Sequence, residues 1–203
     1  MEGTDISTDF QKTNDVGLVR LSLQDKEAFY YLVRRYENKL MRYIKRLTNI
    51  RDEEAEDILQ DIFIKVYRNL NGFDQNLSFS SWIYRIAHNE IINYYHRNKR
   101  RLKSTVSEES GEELNSLTEI ITDDPDSHEQ LIAREKEIKI RQILDKLPEK
   151  YREALILFFL EEMSYNEISD VLRKPPGTIA TLINRGKKKF KKIAMEDNLF
   201  NDD

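Results

Sequence analysis

Residues 163–192 read MSYNEISDVLRKPPGTIATLINRGKKKFKK. Ser164 and Glu167 stand at the spacing where each side chain satisfies a free backbone amide of the other at a helix start. The helix so begun ends near Leu172, because RKPPG cannot continue it: Pro175 and Pro176 lack amide hydrogens. Thr178 is the candidate cap of a second helix, with Ile179, Leu182, Ile183, Phe190 and Ile193 on its apolar side. A short helix, a tight turn and a longer helix ending in RGKKKFKK make a helix-turn-helix, whose second helix fits a DNA major groove while nearby cations hold phosphates. An ordinary helical hairpin with a solvated lysine face carries the same local signature, so the choice falls to the rest of the chain.

Moving upstream, Pro148 opens a helix at its first turn, and YREALILFFLEE is apolar enough to be the core helix of a small domain. Leu131 to Leu147 predicts a charged helix before it. From Ser104 to Gln130 the composition changes: STVSEESGEELNSLTEIITDDPDSHEQ is rich in carboxylates, has no Lys or Arg, and shows little period beyond Leu114, Leu117, Ile120 and Ile121. That is the signature of a flexible acidic linker.

The first half is a helical bundle by its spacing. From Asp25, a plausible cap, apolar residues return at Phe29, Leu32, Val33, Tyr36, Leu40, Tyr43, Ile44 and Leu47. A second helix starts at Asp52 and buries Ala55, Ile58, Leu59, Ile62, Phe63, Val66 and Leu70, until Asn71-Gly72 supplies a left-handed stop. A third starts at Ser80 or Ser81 within FSSWIYRIAHNEIINYYHRNKRR, residues 79–101. There Ile83, Ile86, Ala87, Ile91 and Tyr94 face the first two helices, while Arg85, Asn89, Asn93, Arg97 and Arg100, continued by Lys99, line another side. Amides and arginines bind base edges and phosphates. Trp82, Tyr84 and Tyr95 are available to stack on unpaired bases, a contact worth roughly 1–3 kcal/mol each. The competing reading puts Trp82 and the tyrosines in the core and has RNKRRLK complement the helix C-terminal dipole. Residues 1–22 carry no sustained period and are expected to be partly disordered, with a short helical turn near Val16 to Leu21.

The expected class is therefore all-α: two small helical domains, at 23–103 and 131–195, with a linker at 104–130 and a tail at 196–203. Composition agrees. Of 203 residues, 34% are charged and 39% hydrophobic, with only six glycines and four prolines, which disfavours a strand-rich fold. The net charge of -4 hides strong segregation, with cations at the two domain ends and acids between them. No cysteine is present, so disulfides and thiolate metal sites are excluded. There is no basic-then-apolar leader and no apolar run long enough to span a bilayer, so membrane insertion is not expected and a cytoplasmic location is. His88, His96 and His128 lack metal-ligand spacing and no glycine-rich phosphate loop occurs, so neither an enzyme nor a cofactor is expected.

Taken together, these segments resemble the bacterial RNA polymerase sigma factors of the small extracytoplasmic-function type, over roughly Asp25 to Ala194. AEDILQDIFIKVYRNLNGFD looks like the family's core-polymerase-binding helix, and FSSWIYRIAHNEIINYYHR like its promoter-melting and minus-ten helix. LPEKYREALILFFLEEMSYNEISDVL with GTIATLINRGKKKF looks like its minus-thirty-five-binding domain. The resemblance implies polymerase contacts at Asp57, Gln60, Asp61 and Phe63. It also implies capture of a flipped non-template base by the loop holding Asp74, Asn76, Ser78 and Phe79, beside Trp82, Tyr84 and the polar row ending in Arg97, Lys99 and Arg100. The acidic linker matches the segment that threads the polymerase interior, and an anti-sigma partner is implied as well. Where the family commonly has lysine, serine and arginine, this chain has Ala180, Thr181 and Leu182. Groove contacts then fall to Pro176, Thr178, Thr181, Asn184 and Arg185, with Lys187, Lys188 and Lys189 serving phosphates.

Two other classes remain to be tested. A helix-turn-helix regulator independent of polymerase would bind duplex operators alone, usually as a dimer on symmetric half-sites. An adaptor that binds only proteins would leave the basic-aromatic helix without a purpose.

Overall fold

The computed structural model describes residues 10–104 and 128–197, with side chains at 10–97 and 135–197. Every regular element among the described residues is helical, and the chain divides into two compact units. The first unit holds α1 (Asp15–Ser22), α2 (Lys26–Leu47), α3 (Asp52–Asn69), a 3-10 turn (Leu70–Gly72) and α4 (Phe79–Ser104). The C-terminal half of the chain, most of it in the second unit, holds α5 (His128–Lys146), α6 (Glu149–Leu155), a π turn (Ile156–Leu160), α7 (Tyr165–Leu172) and α8 (Pro176–Glu196). The N-terminal nine residues, 105–127 of the expected linker and most of the expected tail lie outside the described residues.

In the first unit each helix packs on the next, and α4 also returns to α2. The α2 stripe of Leu32, Tyr36, Leu40, Tyr43, Ile44 and Leu47 is buried, as its spacing predicts, and Asp25 accepts the Glu27 amide at 2.9 Å. Ala55, Ile58, Ile62 and Val66 of α3 and Ile83, Ala87 and Ile91 of α4 complete that core.

The helical turn expected near Val16 to Leu21 is present as α1, and residues 10–14 before it are structured where disorder was expected. Asn14 caps α1 through the Gly17 amide at 2.8 Å, Leu18 and Val19 are buried, and α1 packs on α2. The Asp15 carboxylate accepts from Arg35 and from the Tyr36 hydroxyl, both at 2.5 Å. An eight-residue helix with a glycine is too short to stand by propensity alone, so its stability comes from packing that a local pattern does not reveal.

Several helix ends also move. Arg51 occupies the cap position expected of Asp52; its amide donates to Glu54 at 3.2 Å, and Asp52, Glu53 and Glu54 complement the helix dipole from the first turn. Gly72 has no positive φ: α3 tightens into a 3-10 turn closed by the Phe73 amide on the Leu70 carbonyl at 3.2 Å, so no left-handed stop is needed. Ser78 replaces Ser80 and Ser81 as the start of α4, its Oγ accepting the Ser81 amide at 3.4 Å.

In the second unit Ile143, Leu147, Ala154, Leu157, Ile179 and Ile183 are buried. Pro148 sits one residue before α6, at its cap. The apolar helix expected over residues 151–162 widens into the π turn, and Glu162 reverses the chain at φ 55°. The Ser164–Glu167 capping box forms as predicted: the Ser164 amide donates to Glu167 at 2.9 Å and the Glu167 amide to Ser164 Oγ at 3.3 Å. Thr178 is not the cap of α8. Pro176 begins that helix, and the Thr178 amide donates to the Pro175 carbonyl at 2.8 Å. A proline's fixed φ suits the first turn, where its missing amide costs nothing.

Candidate nucleic-acid interface

On α4 a polar row runs through Arg85, half-buried, and Asn89, Asn93 and Arg97, all exposed. Asn93 Nδ2 donates to Glu90 Oε1 at 3.1 Å, and Arg97 lies 3.8 Å from Asp61 of α3. The side chains of Lys99 and Arg100, which would extend the row, lie outside the described residues. Tyr95 is exposed, with its hydroxyl donating to the Leu47 carbonyl at 3.4 Å.

The loop before α4 is exposed from Asp74 through Ser78 and built around one carboxylate. Asp74 Oδ1 accepts both the backbone and the side-chain amide of Asn76 at 3.0 Å, and the Leu77 amide donates to the Asp74 carbonyl at 3.0 Å. Arg20 of α1 reaches across to Gln75 Oε1 at 2.6 Å. Helix α1 thus props the loop, a role that sequence reasoning missed for want of any local signal.

Of the two readings of the aromatics, the core one holds for Trp82 and Tyr84, while Tyr95 is exposed. Phe79 is 2% exposed, Tyr84 3% and Trp82 9%, so none of them offers a free ring face to a base in this conformation. Phe73, Phe79 and Trp82 pack on one another with centroids 5.3–5.6 Å apart, and Tyr84 meets Tyr43 at 5.1 Å. Burial of ring area outweighs exposure for large aromatics early in a helix. Phe73 and Phe79 bracket the loop and, with Trp82, form an aromatic floor at its base.

The residues expected to meet polymerase divide into two groups. Asp57 and Gln60, with Phe63 half-buried below them, line a shallow hollow of about 350 Å³ that Val33, Glu37 and Leu59 complete. Asp61 turns the other way, toward Arg97.

On α8 the outermost face carries Thr181, Asn184 and Lys188 at helical spacing, with Pro176, Thr178 and Arg185 also exposed. Thr181 Oγ1 donates to the Gly177 carbonyl at 2.9 Å, which leaves its oxygen as an acceptor. Lys187 separates from Lys188, because successive helical residues point about 100° apart. It borders an apolar hollow of about 340 Å³ with Leu144, Leu155, Phe159 and Phe190. Lys189 lies 6.0 Å from the Tyr151 ring centroid.

Among the described residues no cluster of His, Asp and Glu is placed to hold a metal, and no helix is long and apolar enough to cross a membrane. Glu90 and Lys65, joined by a hydrogen bond between α3 and α4, were also missed. The signal existed: Glu90 stands in register with Ala87, Ile91 and Tyr94, and an acid at a core position implies a partner.

Two helical units, one ending in a helix-turn-helix and the other carrying a polar row above an aromatic floor, define a nucleic-acid-binding protein. Residues 32–101 match the model of sigma-70 region 2, and residues 137–190 that of sigma-70 region 4. The ECF RNA polymerase sigma factor SigW of Bacillus subtilis is 35% identical over 83% of this chain and 89% of its own length. The ECF RNA polymerase sigma-E factor of Escherichia coli K12 is 33% identical over 88% and 92%. The chain belongs to the ECF sigma factors of the sigma-70 family. Its fold is also that of CnrH, solved with the cytosolic domain of CnrY (TM-score 0.65, 23% identity, 90% of this chain and 98% of that one). RpoE of Bartonella quintana, solved with the anti-sigma factor NepR, shares the fold too (TM-score 0.63, 20% identity, 82% and 96%).

Proposed function

We propose that this chain is a promoter-specificity subunit that binds core RNA polymerase, recognises minus-ten and minus-thirty-five elements and promotes strand opening. It makes and breaks no covalent bond. The observation that carries the reading is the presence of two exposed polar faces, on α4 and on α8, in one chain matched by sigma-70 regions 2 and 4. The first domain, residues 23–103 with α1 added, docks on polymerase through Asp57, Gln60, Asp61 and Phe63. Its loop residues Asp74, Asn76 and Ser78 take up a non-template base over the floor of Phe79 and Trp82, beside Tyr84. Arg85, Asn89, Asn93 and Arg97, continued by Lys99 and Arg100, follow the duplex edge and the phosphates. The second domain, residues 131–195, reads the minus-thirty-five element through Pro176, Thr178, Thr181, Asn184 and Arg185, with Lys188 on phosphate and Lys187 at the margin.

Residues 105–127, between α4 and α5, tether the two domains, so that simultaneous engagement on polymerase raises affinity through effective concentration. The protein works in the cytoplasm, where its substrate complex resides, and an anti-sigma protein is its expected inhibitory partner. The test is transcription from a genomic-fragment library by core polymerase with and without this protein. New start sites preceded by a shared two-part element are the expected result. An absence of new start sites, with footprints by the free protein on symmetric duplex sites, would make it an independent regulator instead.

A further inference from the structure

The register of α4 that buries Ala87 and Ile91 also buries Glu90, whose side chain is only 5% exposed. A carboxylate taken out of water has to be paired and hydrogen-bonded. Glu90 Oε1 accepts from Lys65 Nζ on α3 and from Asn93 Nδ2 one turn along its own helix, the latter at 3.1 Å. Lys65 remains 46% exposed, so the charge pair runs from the core to the surface beside the polar row.

This arrangement decides how Asn93 faces outward. An asparagine amide has a donor half and an acceptor half, and a free one turns over to suit either kind of base edge. An ionised carboxylate only accepts. Glu90 therefore holds Nδ2 inward and leaves Oδ1 as the outward group of an otherwise exposed residue. In the major groove only adenine N6 and cytosine N4 donate to such an acceptor. The groove edges of guanine (N7, O6) and thymine (O4) only accept and are disfavoured.

We propose that Glu90, held by Lys65, is a specificity-determining positioning residue that locks Asn93 to read an amino-bearing base, adenine or cytosine, at one paired position of the minus-ten region. The inference rests on the promoter-binding reading above and adds to it the class of base and the residue that sets it. Lys65 and Asn93 donate to the same Glu90 oxygen, so a glutamine keeps both bonds, whereas Glu90→Met leaves no acceptor and frees the Asn93 amide to turn over.

The experiment uses the holoenzyme on a promoter library randomised through the minus-ten region, with transcripts sequenced. The wild type is expected to favour A and C over G and T about fivefold or more at one position, the scale of a single mismatch. Glu90→Met should bring that position to parity and leave the other positions unchanged, while Glu90→Gln, which keeps the shared oxygen, should retain the preference. Asn93→Ala, at an exposed site, should abolish the preference, and adding Glu90→Met to it should change nothing further. An unaltered preference in Glu90→Met, a loss spread evenly over every position, or a preference surviving Asn93→Ala would each overturn the inference. Failure of the wild type to direct any start site would overturn the promoter reading along with it.

Discussion

Glu153 of α6 is buried, and burial, with the Glu149 carboxylate second, pushes its pKa up to about 7 against the opposing charges of Lys174 and Arg152. Below pH 4 the group is protonated whether the chain is folded or not, so its stabilising contribution is whole. As pH rises from 4.5 toward 7 the folded state keeps a proton that the unfolded state loses more readily, and stability falls. Such a shift is worth on the order of 3 kcal/mol above pH 7. Glu153→Gln should therefore stabilise the second unit by about that amount at pH 8 and change it little at pH 4, as thermal melts at the two pH values would show. A melt difference independent of pH would refute the assignment. The Ser164–Glu167 box was legible because both partners lie within one turn, whereas Glu90 meets a lysine from another helix, and no local pattern names that partner.

Helix boundaries depend on such single contacts, whereas helix faces depend on many. The stripes of α2, α3 and α8 were legible because each repeats over several turns. Their first and last residues were not, because serines, acids and prolines compete for the same end at a cost difference below about 1 kcal/mol. The aromatics stayed open between two readings for a related reason: a ring in a sequence does not reveal which side of the helix has room for it. Gly186 packs against the end of α6; a Cβ there would stand 3.1 Å from Leu155 Cγ. Gly186→Leu should cost roughly 2–3 kcal/mol by overpacking, and Leu155→Ala in the same chain should recover much of it in denaturant titrations. On the exposed face, Lys188→Ala should lower the salt dependence of promoter binding by about one unit of log-log slope, while Lys187→Ala leaves it nearly unchanged.

At the scale of the whole chain, the division into two units was legible from the acidic run between them, since a segment without apolar period has no face to bury. The inclusion of α1 in the first unit was not, for the turn near Val16 to Leu21 was legible but its Leu18 and Val19 become informative about packing only against α2. If each unit has its own core, fragments 10–104 and 128–197 should each unfold cooperatively, and the full chain should show two calorimetric transitions. A single transition, with either fragment unfolded alone, would refute that independence. Removing residues 10–22 from the first fragment should lower its midpoint markedly, because the Asp15 contacts with Arg35 and Tyr36 go with them.

The nearest-neighbour packing of the first unit, helix on successive helix, bears on how the chain is made. Contacts between sequence neighbours close short loops, and bundles of that kind fold in microseconds to milliseconds. Synthesis proceeds at about 5–20 residues per second, so the helices from His128 to Glu196 take roughly 3–14 s to make. For that interval the four N-terminal helices are already made, and the carboxylates of α3, Asp57 among them, keep an exposed face charged and solvated while the helix-turn-helix is still being translated.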